Sequence, residues 1–104
     1  TPVGVRALAA GNVVFAGAFA GYRHLLIVDM GGGWHALYGN LTHCDLQVGQ
    51  AVAAGQPLGG YQAAQGNRAE PFWFEVRRGV DPVALDQWPG LPKDWKSRLF
   101  SRLP

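Results

Sequence analysis

The sequence contains little cysteine, methionine or charge. Its 104 residues include one Cys and one Met, and 15% of them are charged. A single Cys excludes both an internal disulfide and a metal site built from several cysteines. No apolar run reaches the ~18–20 residues of a membrane-spanning helix, and no charged-then-apolar leader opens the chain. Because the chain starts at Thr1, we expect it to be a processed form or a part of a longer protein.

Hydrophobic residues make up 48% of the chain, alongside fifteen Gly and seven Pro. This composition is typical of a folded globular protein and excludes a disordered one. So many Gly and Pro favour tight turns over long helices, which excludes coiled coils and helical bundles. The length predicts one domain.

The net charge of +2 is unevenly distributed. Residues 92–104 hold four basic residues and one acidic residue, whereas the rest of the chain holds five basic and six acidic residues. Binding to nucleic acid needs a clustered basic face, so the body of the protein is not expected to bind it. We expect residues 93–104 to be a basic amphipathic tail, with Trp95, Leu99 and Leu103 at helical spacing.

Strand patterns dominate the rest of the chain. Apolar runs at 12–16, 25–30, 34–41 and 72–78 are bounded by Gly or Pro, and the three glycines at 31–33 predict a hairpin. Residues 48–60 predict short strands with a Gly-Gln turn at each end, residues 61–70 predict a loop, and Asp81-Pro82 predicts a stop. The expected fold is therefore all-β and built from antiparallel hairpins, with a short C-terminal helical tail.

Side chains alternate between the two faces of a strand, which divides the predicted strands into a core face and a second face. In the run 72–78, Phe72, Phe74 and Val76 share one face, and Trp73, Glu75 and Arg77 share the other. In the run 34–41, we expect Leu37 and Leu41 on the core face. Tyr38 and Asn40 then fall on the mixed aromatic and polar face.

Four ordered segments resemble the LytM-type (lysostaphin-like) zinc peptidase domain. They lie at 1–17, 21–41, 48–59 and 72–82, and the last contains Phe74-Glu75-Val76-Arg77 followed by Val-Asp-Pro. The resemblance implies an antiparallel half-barrel of the duplicated hybrid motif type over residues 1–92, with part of the domain upstream of Thr1. It also implies a peptidase groove that crosses the sheet.

The sequence departs from the family pattern where the resemblance implies zinc ligands and catalytic groups. Pro71 and Trp73 stand where the two His of a His-x-His motif belong, and Asn40 replaces another catalytic His. Residues 44–104 contain no His that could take over these roles. The first two ligands of the family would precede Thr1. Catalytic zinc needs three protein ligands, so we expect neither a metal cofactor nor catalysis.

Within this family, the chain is most similar to the C-terminal domain of EnvC-type murein hydrolase activators. The shared features are the run Trp73-Phe74-Glu75-Val76-Arg77-Arg78 and a following Trp88-Pro89 segment. The resemblance implies a periplasmic domain that binds the regulatory helix of an N-acetylmuramoyl-L-alanine amidase during septal peptidoglycan splitting. It further implies an upstream coiled coil and a division-site membrane complex. The implied partner-binding groove consists of Tyr22, Tyr38, Asn40, Trp73 and Arg77.

Several alternatives remain open at this stage. The domain could bind peptidoglycan without activating an enzyme, or be an active zinc endopeptidase, and Trp73 could simply fill a vacated metal pocket. His24, His35 and His43 match no known metal-site spacing. The rhythm of residues 48–59 also occurs in biotinyl and lipoyl carrier domains, but these need a Lys on a hairpin tip. Lys93 and Lys96, both in the tail, are the only lysines.

Overall fold

A computed structural model describes residues 2–62 and 72–102, and most of its regular structure is β-strand. The strands within these residues are β1 (Pro2–Arg6), β2 (Gly11–Phe19), β3 (Tyr22–Gly31), β4 (Trp34–Gly39), β5 (His43–Cys44), β6 (Ala51–Val52), β7 (Pro57–Gln62), β8 (Trp73–Arg78), β9 (Asp81–Val83) and β10 (Phe100–Arg102). A 3-10 turn at Leu85–Gln87 and the short helix α1 (Trp95–Leu99) connect β9 to β10. No helix in the described residues is long and apolar enough to cross a membrane.

The strands form two antiparallel sheets. The larger sheet has the order β6-β2-β3-β4-β8-β9, and the smaller has the order β10-β1-β7-β5. Strands β2, β3 and β4 follow one another as hairpins, and β8 then pairs with β4. The predicted all-β fold of antiparallel hairpins is confirmed.

One cluster of buried side chains joins the two sheets. Val5 of β1 and Leu58 of β7 meet Leu26, Val28 and other residues of the six-stranded sheet there. Each of these four side chains is fully buried. Burying apolar surface contributes about 25 cal/mol per Å² to stability, so this contact between the sheets stabilises the fold. The face of the six-stranded sheet that packs on this cluster is called the inner face below, and the opposite face is the outer face.

Turns rich in glycine set the hairpins, as the sequence predicts. Residues Gly31, Gly32 and Gly33 all have positive φ, at 90°, 63° and 85°, which side chains with a Cβ rarely adopt. The two Gly-Gln pairs form matching turns. The side-chain oxygens of Gln50 and Gln56 each accept a hydrogen bond from the backbone N–H three residues earlier.

The C-terminal part of the chain differs from the sequence prediction. Asp81-Pro82 does not end the sheet but begins β9, which is an edge strand and therefore tolerates a proline. Within the described residues of the predicted helix over 93–103, the helix covers Trp95–Leu99, after which β10 pairs with β1.

The tail is integrated into the domain at these residues. Leu99 is fully buried, and a terminal nitrogen of Arg6 donates hydrogen bonds to the carbonyls of Ser97 and Phe100. Contacts distant in sequence therefore fix its conformation. In the predicted loop over 61–70, residues 61 and 62 belong to β7, and the remainder lies outside the described residues.

Candidate functional site

Strand register decides which side chains share the outer face. Phe15 pairs with Ile27, Ile27 with Leu37, and Leu37 with Glu75. Directly opposed residues in a sheet point to the same side, so these four form one row across β2, β3, β4 and β8. Leu37 is 5% exposed but does not belong to the core cluster between the sheets. The outer face therefore has its own layer of apolar side chains, here called the apolar floor, which includes Phe15, Ile27 and Leu37.

Tyr38 lies on the inner face, so the predicted place of this residue in the groove is wrong. It is fully buried, pairs with Phe74 across the strands, and packs against that ring with centroids 5.1 Å apart. Its hydroxyl accepts a hydrogen bond from the Leu8 backbone N–H at 3.2 Å. Burial raises the pKa of Tyr38 to about 12, against the weaker lowering effect of that hydrogen bond. A tyrosine can lie in a core when its hydroxyl finds a partner, and pattern alone does not reveal that partner.

Three side chains of β8 form a connected row on the outer face, here called the outer row: Trp73, Glu75 and Arg77. The indole N–H of Trp73 donates to Glu75 Oε1 at 3.0 Å, and Arg77 Nε donates to Glu75 Oε2. The predicted division of this strand is confirmed, because Val76 is fully buried on the inner face while Trp73 is 46% exposed. Glu75 therefore orients both the aromatic residue and the cation.

The surroundings of Glu75 favour its ionised form. Burial acts to raise the pKa of its carboxyl, but the hydrogen bonds from Arg77 and Trp73 and the charge of Arg77 outweigh burial. The net effect lowers the pKa below its usual value. A carboxylate held in this way accepts hydrogen bonds and is poorly suited to donate a proton, which makes a structural role more consistent with its environment than acid catalysis.

The Tyr22 ring and the Trp73 Cβ both lie close to Gly39. A Cβ at residue 39 would lie 2.6 Å from the Tyr22 ring and 3.2 Å from the Trp73 Cβ. Gly39 thus permits this approach, whereas a Cβ at this position would force the Tyr22 ring to shift. Phe19 continues the aromatic surface, with its ring centroid 6.4 Å from Tyr22 and 5.8 Å from Phe15.

Asn40 lies immediately after this point, where β4 ends. Its φ of 62° is left-handed, a conformation that Asn adopts more readily than most residues. Its side-chain oxygen accepts a hydrogen bond from the Arg23 backbone N–H at 3.3 Å, which ties the end of β4 to β3. Asn40 therefore has a structural role at the rim, and contact with a partner stays a prediction.

Two cavities open on the outer face. The first has a volume of about 130 Å³ and is lined by aromatic and aliphatic residues plus one cation: Phe15, Phe19, Tyr22, Leu25, Ile27, Leu37 and Arg77. The second has a volume of about 280 Å³ and shares three of these residues; its lining is Val14, Ile27, His35, Leu37, Arg77, Gly79 and Val80. The outer face is therefore a largely apolar groove with Arg77 at its middle.

The described residues of this groove do not fit a zinc ion. The nitrogen of Trp73 carries its hydrogen toward Glu75 and offers no lone pair, and the Asn40 side-chain oxygen accepts a backbone hydrogen bond. Among residues 2–62 and 72–102, no three His, Cys, Asp or Glu side chains gather at metal-binding distance. Pro71, the other position singled out from the sequence, lies outside the described residues.

The three histidines are spread over the structure. His24 is half-buried on β3, His35 is on β4 in the wall of the second cavity, and His43 is exposed on β5. The Nδ1 atom of His35 is buried and has no hydrogen-bond partner among the described residues.

The structure places Tyr22, Trp73 and Arg77 on the outer face with Asn40 at the rim, and their role in binding a partner stays a prediction. Sequence reasoning missed the apolar floor and the orienting role of Glu75. The alternation in residues 72–78 already placed Glu75 between Trp73 and Arg77. Phe15, the floor residue of β2, could not be found in this way. The pairing register of β2 with β3 shifts between Val13 and Phe15, and this shift breaks the alternation.

Comparison with known proteins agrees with this architecture. The family model for peptidase family M23 matches residues 1–85. The chain belongs to peptidase family M23. The match covers the strands that form the groove, including β2, β3, β4 and β8. The family resemblance inferred from the sequence is therefore confirmed.

Two relatives are similar over most of the chain. The murein hydrolase activator EnvC of Escherichia coli (strain K12) is 34% identical over 86 residues, which cover 83% of this chain and 20% of EnvC. An uncharacterized protein of Haemophilus influenzae (strain ATCC 51907 / DSM 11121 / KW20 / Rd) is 36% identical over 88 residues, covering 81% of this chain and 20% of that protein. The chain therefore spans about one fifth of the length of these relatives.

Two solved structures share the fold. A crystal structure of an M23 peptidase from Pseudomonas aeruginosa superposes with a TM-score of 0.67 at 28% identity, covering 77% of this chain and 35% of that one. The structure of LytU superposes with a TM-score of 0.74 at 20% identity, covering 96% of this chain and 73% of LytU. The second comparison covers nearly the whole chain and supports the fold alone.

Proposed function

We propose that this domain is a non-catalytic activator of a cell-wall N-acetylmuramoyl-L-alanine amidase, which it binds through the outer face of the six-stranded sheet. The observation that carries the proposal is the outer row. At a position where a zinc peptidase of this type places a His, the chain has a half-exposed Trp73, held by Glu75 beside Arg77. The similarity to EnvC, a murein hydrolase activator, supports the same conclusion.

The chemistry of these side chains supports a non-catalytic role. Hydrolysis by a zinc peptidase needs a metal-bound water and a group that moves its proton. Trp73 and Asn40 supply neither a ligand nor a base, and Glu75 is committed to two hydrogen bonds. Without a metal, the groove would still offer a concave apolar surface to a protein partner.

The groove has the composition of a binding surface. Trp, Tyr and Arg are the residue types most enriched among the residues that dominate binding energy, and Trp73, Tyr22 and Arg77 lie together here. The apolar floor of Ile27 and Leu37 lies beneath them. A partner that inserts apolar side chains would bury this floor, while Arg77 would select for an acidic group.

The wider setting belongs to the same proposal. We infer a periplasmic location and a role in septal peptidoglycan splitting during cell division. Because the chain spans 20% of EnvC, an upstream coiled coil and a division-site membrane complex would involve the rest of the protein.

A second candidate function is binding to peptidoglycan without activation of an enzyme. The observation that favours it is the exposed aromatic rim, because Phe19 is 53% exposed and Trp73 is 46% exposed. Flat aromatic surfaces could pack against sugar rings or stem peptides of the cell wall. This alternative needs no enzyme partner.

The test is a dye-release assay on labelled sacculi with four samples: buffer, chain alone, amidase alone, and amidase with chain. An activator gives release above the amidase level only in the fourth sample. Release by the chain alone would indicate an active endopeptidase and contradict the proposal. Sedimentation of the chain with sacculi, without any effect on the amidase, would instead support the second candidate.

Metal analysis gives an independent check on catalysis. After dialysis, the chain is expected to retain much less than one zinc per molecule. One tightly bound zinc, removed by a chelator together with hydrolytic activity, would contradict the non-catalytic assignment.

A further inference from the structure

Glu75 is the least exposed member of the outer row. Its side chain is 13% exposed, whereas the side chain of Arg77 is 38% exposed and Trp73 is 46% exposed. Its cross-strand partner is Leu37, which belongs to the apolar floor. A partner that covers the outer face would therefore meet Trp73 and Arg77 first, and Glu75 would lie beneath them.

Folding stability alone does not account for a carboxylate at this place. Removing a charge from water has a free-energy cost, and apolar residues of similar size that replace buried ion pairs often leave stability unchanged or raise it. Trp73 and Arg77 are partly exposed, so water could take over the hydrogen bonds that they donate to Glu75. Replacing the carboxylate should therefore have little effect on the fold.

The two oxygens of the Glu75 carboxylate hold two different side chains. Oε1 accepts a hydrogen bond from the indole N–H of Trp73 at 3.0 Å, and Oε2 accepts one from Nε of Arg77. A partner that binds these side chains would otherwise have to order both of them. Ordering one such side chain on association weakens affinity by about two- to tenfold, so holding two in advance is worth about 4- to 100-fold.

The same contacts decide which part of Arg77 is available. Its Nε donates to Glu75, whereas its terminal nitrogens have no hydrogen-bond partner among the described residues. Terminal guanidinium nitrogens form a fork that can pair with a carboxylate through two parallel hydrogen bonds. Glu75 thus leaves this fork of Arg77 for an acidic group of the partner.

We propose that Glu75 is a positioning residue of the surface that binds the amidase. It holds the Trp73 indole and the Arg77 guanidinium in the arrangement that the partner binds, and makes no contact with the partner itself. This inference rests on the proposed function and adds a residue to it, because the resemblance to the activators implies a role for Trp73 and Arg77 but not for Glu75. The carboxylate serves recognition, and the fold does not depend on it.

The test replaces Glu75 and measures stability and partner binding separately. Glu75→Leu removes both hydrogen bonds with a side chain that suits the apolar floor, and Glu75→Gln keeps one acceptor oxygen without the charge. The matched control is Asp81→Asn, which removes one negative charge from an exposed residue of β9 that lines neither outer-face cavity. Urea unfolding gives the stability of each version. Titration of an N-acetylmuramoyl-L-alanine amidase with each version, measured as dye release from labelled sacculi, gives the affinity.

The expected result is a loss of affinity without a loss of stability. Glu75→Leu should unfold at the same urea concentration as the unmodified chain or at a higher one, and should bind the amidase about 4- to 100-fold more weakly. Glu75→Gln should lose less affinity, and Asp81→Asn should bind as the unmodified chain does. Because the effect acts through its neighbours, Glu75→Leu should weaken binding less in chains that already carry Trp73→Ala or Arg77→Ala.

Three results would overturn the inference. The first is unchanged or tighter binding by Glu75→Leu, and the second is a clearly lower urea midpoint, which would assign the carboxylate to the fold. The third is a loss of affinity that adds fully to the losses from Trp73→Ala and Arg77→Ala, because Glu75 would then act independently of them. The proposed function fails by a different result, namely no activation by the unmodified chain or full activation by Trp73→Glu, and the inference then falls with it.

Discussion

Strand β8 has two faces, of which one packs against the core and the other remains partly exposed. On the inner face, Phe74 and Val76 pack against the core, and the neighbouring Tyr38 satisfies its hydroxyl within the protein. On the outer face, Trp73 and Arg77 both donate hydrogen bonds to Glu75 and remain partly exposed. Alternate residues of one strand therefore face the core and the exposed groove, and under the proposed function substitutions on the two faces should have separable effects.

The largest loss of stability is expected when the inner-face aromatic residue of β8, Phe74, is removed. Phe74→Ala should lower the free energy of unfolding by about 3 kcal/mol, because the ring packs against Tyr38 and against Trp95, whose centroid is 6.5 Å away. Trp73→Ala, one residue earlier on the same strand, should cost less than about 1 kcal/mol. Urea unfolding curves measure both. Equal losses would remove the distinction between the faces.

The next expected effect is a pH dependence of the folding stability, which arises from Tyr38 on the inner face. The pKa of Tyr38 is about 12 in the folded protein against 10.0 in the unfolded chain, so the folded state holds this proton more tightly. The resulting stability is complete below pH 10 and is lost as the pH rises from 10 to 12. The loss should reach about 3 kcal/mol.

Tyr38→Phe is the matched variant for this measurement. It should lose about 1–3 kcal/mol at neutral pH, because the Leu8 N–H would be buried without a partner. It should also lose the additional fall in stability between pH 10 and 12. An identical alkaline fall in the variant would show that another group is responsible.

A smaller loss of stability is expected from a substitution at Gly39, beside Tyr22 on the outer face. Gly39→Ala should cost about 1–2 kcal/mol, because the added Cβ would press on the Tyr22 ring at 2.6 Å. Removing the ring in the double variant Tyr22→Ala with Gly39→Ala should recover most of that cost. Thermal unfolding of the single and double variants tests this, and equal penalties in both would mean that the strain lies in the backbone and not in the ring.

Much of the fold could be predicted because its strands are locally encoded. The runs that became β2, β3, β4 and β8 are apolar, are bounded by turn residues and pair as hairpins or neighbours. Strand β10 could not be predicted in this way. It has three residues, and its conformation depends on pairing with β1 and on the hydrogen bonds that Arg6 donates to the carbonyls of Ser97 and Phe100. Arg6 lies more than ninety positions away in the sequence.

The site was predicted in part for a related physical reason. Alternation placed Trp73 and Arg77 correctly because β8 pairs with β4 without a register shift. The same rule placed Tyr38 wrongly, because the pattern favours Leu37 and Leu41 as the core face, whereas the Tyr38 ring belongs to the core. Strand alternation in β4 placed Leu37 and Tyr38 on opposite faces, but only the tertiary structure identifies which face is the core.

The most direct test of the account compares three charge-changing variants of β8 in amidase activation. Trp73→Glu and Arg77→Glu should each reduce affinity for the amidase about 30- to 1000-fold while the domain stays folded, which corresponds to about 2–4 kcal/mol of binding energy. Arg78→Glu, which changes the same charge on the opposite side of the strand, should activate as the unmodified chain does. Dye release from labelled sacculi, with circular dichroism melts on each variant, provides the measurement. If Trp73→Glu and Arg77→Glu are folded and activate the amidase fully, the outer face is not the surface that binds the amidase, and the central claim is wrong.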